Sequence, residues 1–200
     1  NRGRAMSGFH MPLAVVLPLL EKLANNAIHL WDVPAGARAR LINMSENATY
    51  LVEAPGNYKS IMRVHRENYH THRAIECELA WLDALGTEGV VATPGYYIGK
   101  NGHSIQECLV DGLPDPRLVD LFHFVEGIAP DENDDMTSGY EELGAIAAHC
   151  HSHAMTWPKP EPFTRLTWDV DSVFGVTPIW GDWRDAPEVT PAIRAVLQQV

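Results

Sequence analysis

The chain has 200 residues, of which 46% are hydrophobic and 20% are charged, a balance typical of a globular protein and not of a disordered one. The formal net charge of −11 is uneven, since residues 1–100 carry 10 basic and 9 acidic side chains whereas residues 101–200 carry 5 and 17. So acidic a second half argues against a nucleic acid as partner. It would attract a cationic small molecule, although solubility alone also accounts for surface acids.

The first apolar stretch, residues 13–30, is interpreted as an amphipathic helix that ends at a turn, residues 31–37. An alternative stays open, because residues 11–20 follow two arginines and resemble the short apolar core of a signal peptide. No uninterrupted run of 18 apolar residues occurs, so we expect no membrane-spanning segment and no membrane partner.

Three cysteines form an odd and scattered set. They are Cys77, Cys108 and Cys150. This arrangement favours free thiols in a reducing compartment, and we therefore expect a cytoplasmic protein.

Short extended segments follow the first turn. Strands are predicted at 38–44, 48–53 and 60–65, joined by a polar loop at 45–47 and a Pro-Gly-Asn turn at 55–57. Connections this short join neighbouring antiparallel strands. The pattern therefore predicts an antiparallel meander.

A helix is predicted at 71–85, because apolar residues recur along one of its faces. Two further strands, 95–98 and 104–109, flank an Asn-Gly pair that is typical of a tight hairpin. Another strand is predicted at 118–125. Together with the meander, these elements indicate an α+β fold with an antiparallel sheet.

Strands give way to helices late in the chain, and this change predicts the domain organisation. Residues 1–36 hold the first helix and turn, residues 37–127 hold the sheet and its helix, and residues 128–200 are helical. The helical part begins with an acidic loop at 131–135, followed by a helix at 136–155.

Arg63 and Glu78 form the first candidate pair for a functional site. Arg63 lies mid-strand, and its side chain points to the face opposite Met62. Glu78 follows Ile75 by three residues and precedes Leu82 by four, so it faces inward with the apolar stripe. A buried carboxylate without a partner is costly, so we predict that Arg63 pairs with Glu78. The spacing leaves the alternative open that both side chains are simply solvated.

The loop of Ser45, Glu46 and Asn47 could bind phosphate through backbone N–H groups and the Ser and Asn side chains. The nucleotide side of a phosphoryl-transfer site needs three things: such a loop, a cation that reaches the phosphates, and an acid that holds the cation. The loop, Arg63 and Glu78 occur in this order along the chain.

Six segments carry a resemblance to a known family. They are LINMSENATYLVEAP (41–55), SIMRVHR (60–66), AIECELAWLDAL (74–85), GVVATP (89–94), DLFHFVEG (120–127) and LGAIAAHCHSHA (143–154). In this order they resemble the aminoglycoside phosphotransferase and choline kinase superfamily, near its stress-response kinase and type II homoserine kinase branches. The similarity covers roughly residues 30–155. It implies a protein-kinase-like N-terminal lobe, a five-stranded antiparallel sheet plus a helix, followed by the first helices of the C-terminal lobe.

The resemblance also implies an activity and a set of roles. The family consists of ATP-dependent phosphotransferases that use Mg²⁺ and transfer the γ-phosphate to a hydroxyl group of a small acceptor. Loop 45–47 would position the nucleotide, Arg63 would take the place of the phosphate-binding lysine, and Glu78 would be its helix partner. Arginine differs from lysine in its planar fork, so the geometry at the phosphates would differ from that of the wider family.

Further residues correspond to the part of the family fold that meets adenine. Phe122 falls at the gatekeeper position, and the backbones of His123 and Val125 fall at the hinge. The family's catalytic His-Gly-Asp, with an Asn five residues later, is absent, since Gly181-Asp182 follows Trp180 and no Asn comes after it. We therefore expect a nucleotide-binding part that stops before the catalytic loop, with no catalytic residue or metal ligand of its own.

Two other classes of function stay open. His149 and His153 lie four residues apart on a predicted helix and could chelate a metal ion, although no further ligand pattern supports them. A non-catalytic nucleotide-binding or interaction protein is the other alternative. The sequence identifies neither the acceptor nor the oligomeric state.

Overall fold

The computed structural model describes residues 11–128, 136–179, 181–186 and 188–198. The predicted acidic loop at 131–135 therefore lies outside the described residues. The predicted division at residue 127 stays a prediction.

Two compact units make up the chain, Leu13–Thr164 and a smaller unit that contains Arg165–Val200. The helices and strands of the larger unit are α1 (Leu13–Ala27), β1 (Arg38–Met44), β2 (Ala48–Ala54), β3 (Tyr58–Val64), α2 (His72–Thr87), β4 (Gln106–Cys108), β5 (Arg117–His123) and α3 (Thr137–Thr156). The smaller unit contains two short helices. They are α4 (Val170–Phe174) and α5 (Pro191–Leu197).

The five strands form one antiparallel sheet, as the family resemblance implied, and their order is β1-β2-β3-β5-β4. The first three strands are the expected meander, and β5 inserts beside β3 with β4 at the edge. β3 and β5 are therefore central strands. Their register pairs Arg63 with Asp120, which places two charged residues side by side in the middle of the sheet.

The predicted strand at 95–98 is wrong. Residues 95–97 form only an isolated bridge to β5, in which Tyr96 pairs with Phe122. The Gly95 carbonyl accepts there from the His123 N–H at 2.8 Å, and the Tyr97 N–H donates to the Leu121 carbonyl at 2.7 Å. The chain turns back at once, because the Gly99 N–H donates to the His103 carbonyl at 2.8 Å. The Gln106 side chain also donates to that carbonyl, at 2.7 Å. Loop bonds thus replace the predicted hairpin ladder, and β4 is only three residues long.

Alternation along β3 distributes its side chains over two faces of the sheet. Ile61 packs with a buried cluster contributed by α2 and β5, which includes Ile75, Leu79 and Phe122. Met62 points to the opposite face and is completely buried. Arg63 shares the face of Ile61, since the side-chain period of a strand is two. The sheet therefore presents Arg63 towards α2.

Helix α1 packs against β1 and β3 through a buried face that includes Val16, Leu20 and Leu23. Of the described residues, Leu13–Leu30 is the one segment with the length and mean hydropathy, 1.2, of a membrane-spanning helix. The sequence-based expectation was that no segment would qualify. A helix that packs in a protein core passes the same test, so the finding is weak evidence for a membrane.

Candidate functional site

Arg63 is the centre of a cluster of charged side chains. Its Nη1 donates to Glu78 Oε1 at 2.7 Å, which confirms the predicted pair. Both side chains are 20% exposed, so the pair is largely shielded from water and is screened less than an ion pair on the surface. Glu78 points towards the sheet because Ile75 and Leu79, on the same face of α2, pack into the core.

Asp120 is a second carboxylate on Arg63, and the sequence analysis missed it. Nε and Nη2 of Arg63 donate to its Oδ1 and Oδ2 at 3.2 and 2.8 Å, which is a bidentate contact. Asp120 is fully buried. A signal was available, because Asp120 lies two residues after Leu118 and two before Phe122. That period places an acid on the apolar face of β5.

His65 completes the cluster on the other side of Asp120. Its Nε2 lies 3.1 Å from Asp120 Oδ2, and the ring is buried. Nδ1 is buried as well and has no hydrogen-bond partner among the described residues. Because a carboxylate oxygen can only accept, the His65 ring donates to Asp120 from Nε2. The sequence analysis did not predict His65 as a site residue, although it lies two residues after Arg63 and hence on the same face of the sheet.

Charge pairing keeps Arg63 and Asp120 ionised. Burial by itself would lower the pKa of Arg63, but Asp120 and Glu78 outweigh burial and hold the pKa above its ordinary value. Burial would raise the pKa of Asp120, but the hydrogen bond from His65 and the charge and hydrogen bonds of Arg63 hold it below its ordinary value. The cluster thus holds one cation between two carboxyl groups in a shielded environment.

A cavity of about 570 Å³ lies beside the cluster. Its walls are largely apolar, with Arg63 and Glu78 as charged groups. The lining residues are Thr49, Ile61, Arg63, Glu78, Leu82, Ala92, Thr93, Pro94, Phe122, His123, Phe124 and Val125. A concave apolar site of this size with a few convergent polar groups is typical of small-molecule binding.

The three residues predicted at the adenine end all line this cavity. The guanidinium carbon of Arg63 lies 4.9 Å from the centroid of the Phe122 ring, a distance typical of a cation–π contact. The His123 N–H donates to the Gly95 carbonyl at 2.8 Å, so its backbone could meet a ligand only through the carbonyl oxygen. The Val125 N–H has no backbone acceptor among the described residues. This geometry is compatible with a hinge, and the adenine contacts stay a prediction.

Loop 45–47 joins β1 to β2 but is not part of the cavity wall. The Ser45 N–H donates to the Asn47 carbonyl at 3.1 Å, and the Asn47 side-chain oxygen accepts from the Arg66 N–H at 3.2 Å. These bonds hold the loop and leave the Asn47 amide nitrogen as a donor. Ser45 and Glu46 are exposed, while Thr49, two residues further on, does line the cavity. The nucleotide-positioning role of the loop stays a prediction.

The His149–His153 pair finds no support as a metal site. Nδ1 of His153 accepts from the Trp81 indole N–H at 3.1 Å, and its Nε2 lies 3.2 Å from Glu88 Oε2. Both ring nitrogens therefore already have protein partners. The described residues also contain no group of three His, Cys, Asp or Glu side chains that could hold a metal ion.

Asp182 follows a glycine, as does the catalytic Asp in the His-Gly-Asp motif of the family. In this chain its side chain makes local contacts. Its Oδ1 accepts from the Arg184 N–H at 2.9 Å and from Arg184 Nη1 at 3.0 Å. The side chain thereby caps the short 3₁₀ turn Trp183–Asp185.

Comparisons with known proteins agree with this geometry. The profile of the phosphotransferase enzyme family, APH, matches residues 38–194, whereas a search of curated protein sequences finds no match. A solved structure of a microcompartment-associated aminopropanol kinase is 41% identical, with a TM-score of 0.76, over 88% of this chain and 53% of that chain.

An amicoumacin kinase, solved in complex with AMP-PNP, Ca²⁺ and Ami, has a TM-score of 0.61 over 72% of this chain and 43% of its own. At 16% identity this likeness shows the fold alone. The chain thus spans about half the length of the solved kinases that it matches. Because the family profile covers most of its length, from β1 to α5, the chain belongs to the phosphotransferase enzyme family and has its kinase-like fold.

Proposed function

We propose that this chain forms the ATP-binding part of a small-molecule kinase that transfers the γ-phosphate of ATP to a hydroxyl group. The observation that carries the proposal is the Arg63–Glu78 pair in the wall of the 570 Å³ cavity. A cation held by an acid is what phosphoryl transfer needs at the phosphate end of the nucleotide. The apolar wall around Phe122 would take the adenine ring, with the Val125 N–H as a donor.

ATP and a divalent cation are supported to different degrees. The family uses ATP, and the amicoumacin kinase was solved with AMP-PNP and Ca²⁺. The size and polarity of the cavity fit a nucleotide. The described residues offer no cluster for Mg²⁺, so we assign the metal no ligand in this chain. ATP would supply the phosphoryl group, and the residues here would bind and orient it.

Catalysis would depend on residues that this sequence does not contain. It has no His-Gly-Asp, and removing both a base and a metal site should abolish nearly all of the rate. The purified chain is therefore expected to bind ATP without transferring phosphate, which is also what a non-catalytic nucleotide-binding protein would do. Robust phosphate transfer by the chain alone would contradict this expectation.

For the acceptor, we infer a small molecule that carries both a hydroxyl and an amine. The 41% identical structure is an aminopropanol kinase, and an amino alcohol is cationic at neutral pH. The acidic excess of residues 101–200 would attract such a molecule. In a kinase that carries this chain, kcat/KM for the acceptor should fall with added salt, because salt screens exposed charges. A neutral or anionic acceptor, or a rate indifferent to salt, would oppose the inference.

The central test is calorimetric titration of the chain with ATP in the presence of Mg²⁺. Glu78→Gln should weaken binding about ten-fold, because it removes the charge that holds Arg63. Glu76→Gln is the matched control, since Glu76 lies on the same helix but pairs with Arg73 at 3.2 Å and does not line the cavity. Equal effects of the two substitutions, or no binding by the unaltered chain, would reject the site.

A cytoplasmic location remains part of the proposal. The three cysteines are free thiols, with Cys77 buried, which supports a reducing compartment. Fractionation of cells that produce the protein would test it.

A further inference from the structure

The guanidinium of Arg63 is held by two carboxylates, not by one. It has five N–H groups, and three of them donate to Glu78 and Asp120. The contact with Asp120 uses the edge formed by Nε and Nη2, which fixes the plane of the guanidinium as well as its position. Two N–H groups, one on each terminal nitrogen, remain to meet a ligand.

Asp120 in turn depends on an arginine. Its carboxylate is fully buried, and its partners among the described residues are Arg63 and His65. A lysine at position 63 would bring one compact ammonium, which cannot meet Glu78 and both oxygens of Asp120 with the geometry of a planar fork. Asp120 therefore gives a physical reason for arginine where the family resemblance implies lysine.

We propose that Asp120 is a positioning residue for Arg63: its buried carboxylate fixes the guanidinium in the cavity wall so that the two remaining N–H groups meet the phosphates of the nucleotide. His65 supports the arrangement by donating to Asp120 from the other side. The inference rests on the proposed function, because it needs a nucleotide in this cavity.

Asp120→Asn tests the role directly, because it keeps the shape of the side chain and removes its charge. We expect ATP binding, measured by calorimetry with Mg²⁺, to weaken about ten-fold. Binding of adenosine should not change, since adenosine has no phosphate for Arg63 to hold. A general loss of structure would weaken both ligands. Asp83→Asn is the control, because Asp83 accepts from the Tyr96 hydroxyl and should leave both affinities unchanged.

A double substitution tests the dependence of the two residues on each other. Arg63→Lys alone should weaken ATP binding, because the ammonium cannot make the bidentate contact with Asp120 that positions the guanidinium. Arg63→Lys with Asp120→Asn leaves the new ammonium facing Glu78 without a second carboxylate, so ATP should bind at least about three-fold more tightly than to Arg63→Lys alone. If Asp120→Asn alone does not fold, as judged by its melting curve, this comparison carries the test.

The outcomes separate the two proposals. No ATP binding by the unaltered chain would overturn the proposed function and this inference together. If ATP binds and Asp120→Asn leaves its affinity unchanged, the inference alone is overturned. The same holds if the double variant binds no better than Arg63→Lys.

Discussion

The central strands β3 and β5 and the helix α3 belong to the same unit but differ in how their side chains are buried. On the strands, Met62 and Leu121 are 0% exposed, and even Asp120 is shielded from water. Along α3, no described residue is buried, and Tyr140 and Leu143 are 67% and 57% exposed. The sheet therefore holds its charged cluster in place by packing, whereas α3 depends on its own backbone bonds and a few side-chain contacts. Substitutions should be costly in the sheet and mild on α3.

The largest effect is expected from Arg63→Met. The substitution leaves Asp120 buried without its main cation, and breaking a buried ion pair from one side costs about 3–5 kcal/mol. Arg40→Met is the control, because Arg40 is 65% exposed and lies 3.8 Å from Glu53. A surface pair of this kind contributes about 0–1 kcal/mol. Urea unfolding would measure the loss of unfolding free energy in each variant. Equal losses in Arg63→Met and Arg40→Met would show that the charged cluster is not buried.

The second prediction compares apolar residues of α2 and α3. Leu79→Ala removes a side chain that is 2% exposed and packs in the core of the sheet, so it should destabilise the chain by about 2–5 kcal/mol. Leu143→Ala makes the same chemical change at an exposed position, where about 0.5 kcal/mol or less is expected. Thermal and urea unfolding of the two variants would measure both losses of stability. A large loss at Leu143 would mean that α3 is more tightly packed than the structure shows.

The third prediction concerns pH and follows from Asp120. Its pKa is lower in the folded chain than its ordinary value of 3.8. A group with a depressed folded pKa contributes stability that is present above the ordinary value and is lost as the pH falls through the folded value. The unaltered chain should thus lose stability below pH 3.8 more steeply than Asp120→Asn. Parallel curves of unfolding free energy against pH for the two proteins would contradict the prediction.

The same comparison explains what sequence patterns could predict. The boundaries of β1 and the ends of α2 followed from local signals, namely turn residues and apolar periods, to within about two residues. The direction of Glu78 also followed, because the helix period fixes it relative to Ile75. The pairing with Arg63 needed only that α2 pack on the sheet. These features depend on residues near each other in the chain.

Features that depend on distant residues were harder to predict. Asp120 contacts Arg63 only because β5 inserts beside β3 in one register, and no local pattern specifies a pairing across 57 positions. The strand predicted at 95–98 failed for a similar reason. The Gln106 side chain donates to the His103 carbonyl and exchanges two hydrogen bonds with the Asn101 side chain, which stabilises the loop that follows residues 95–98. An alternation pattern does not reveal such bonds.

The smallest effect is expected where α3 meets α2. The Trp81 indole N–H donates to His153 Nδ1, and His153 Nε2 in turn lies next to Glu88. Trp81→Phe keeps most of the ring and removes this one donor, so the net loss should be about 1 kcal/mol, the usual contribution of one hydrogen bond. Because α3 has few other side-chain contacts to hold it, the loss should appear as faster hydrogen exchange in α3 amides with β5 amides unchanged. Tyr140→Phe removes an exposed hydroxyl from α3 and serves as the control. Equal acceleration in α3 and β5 would mean that the sheet and α3 unfold together, and the contrast between the two regions would then be wrong.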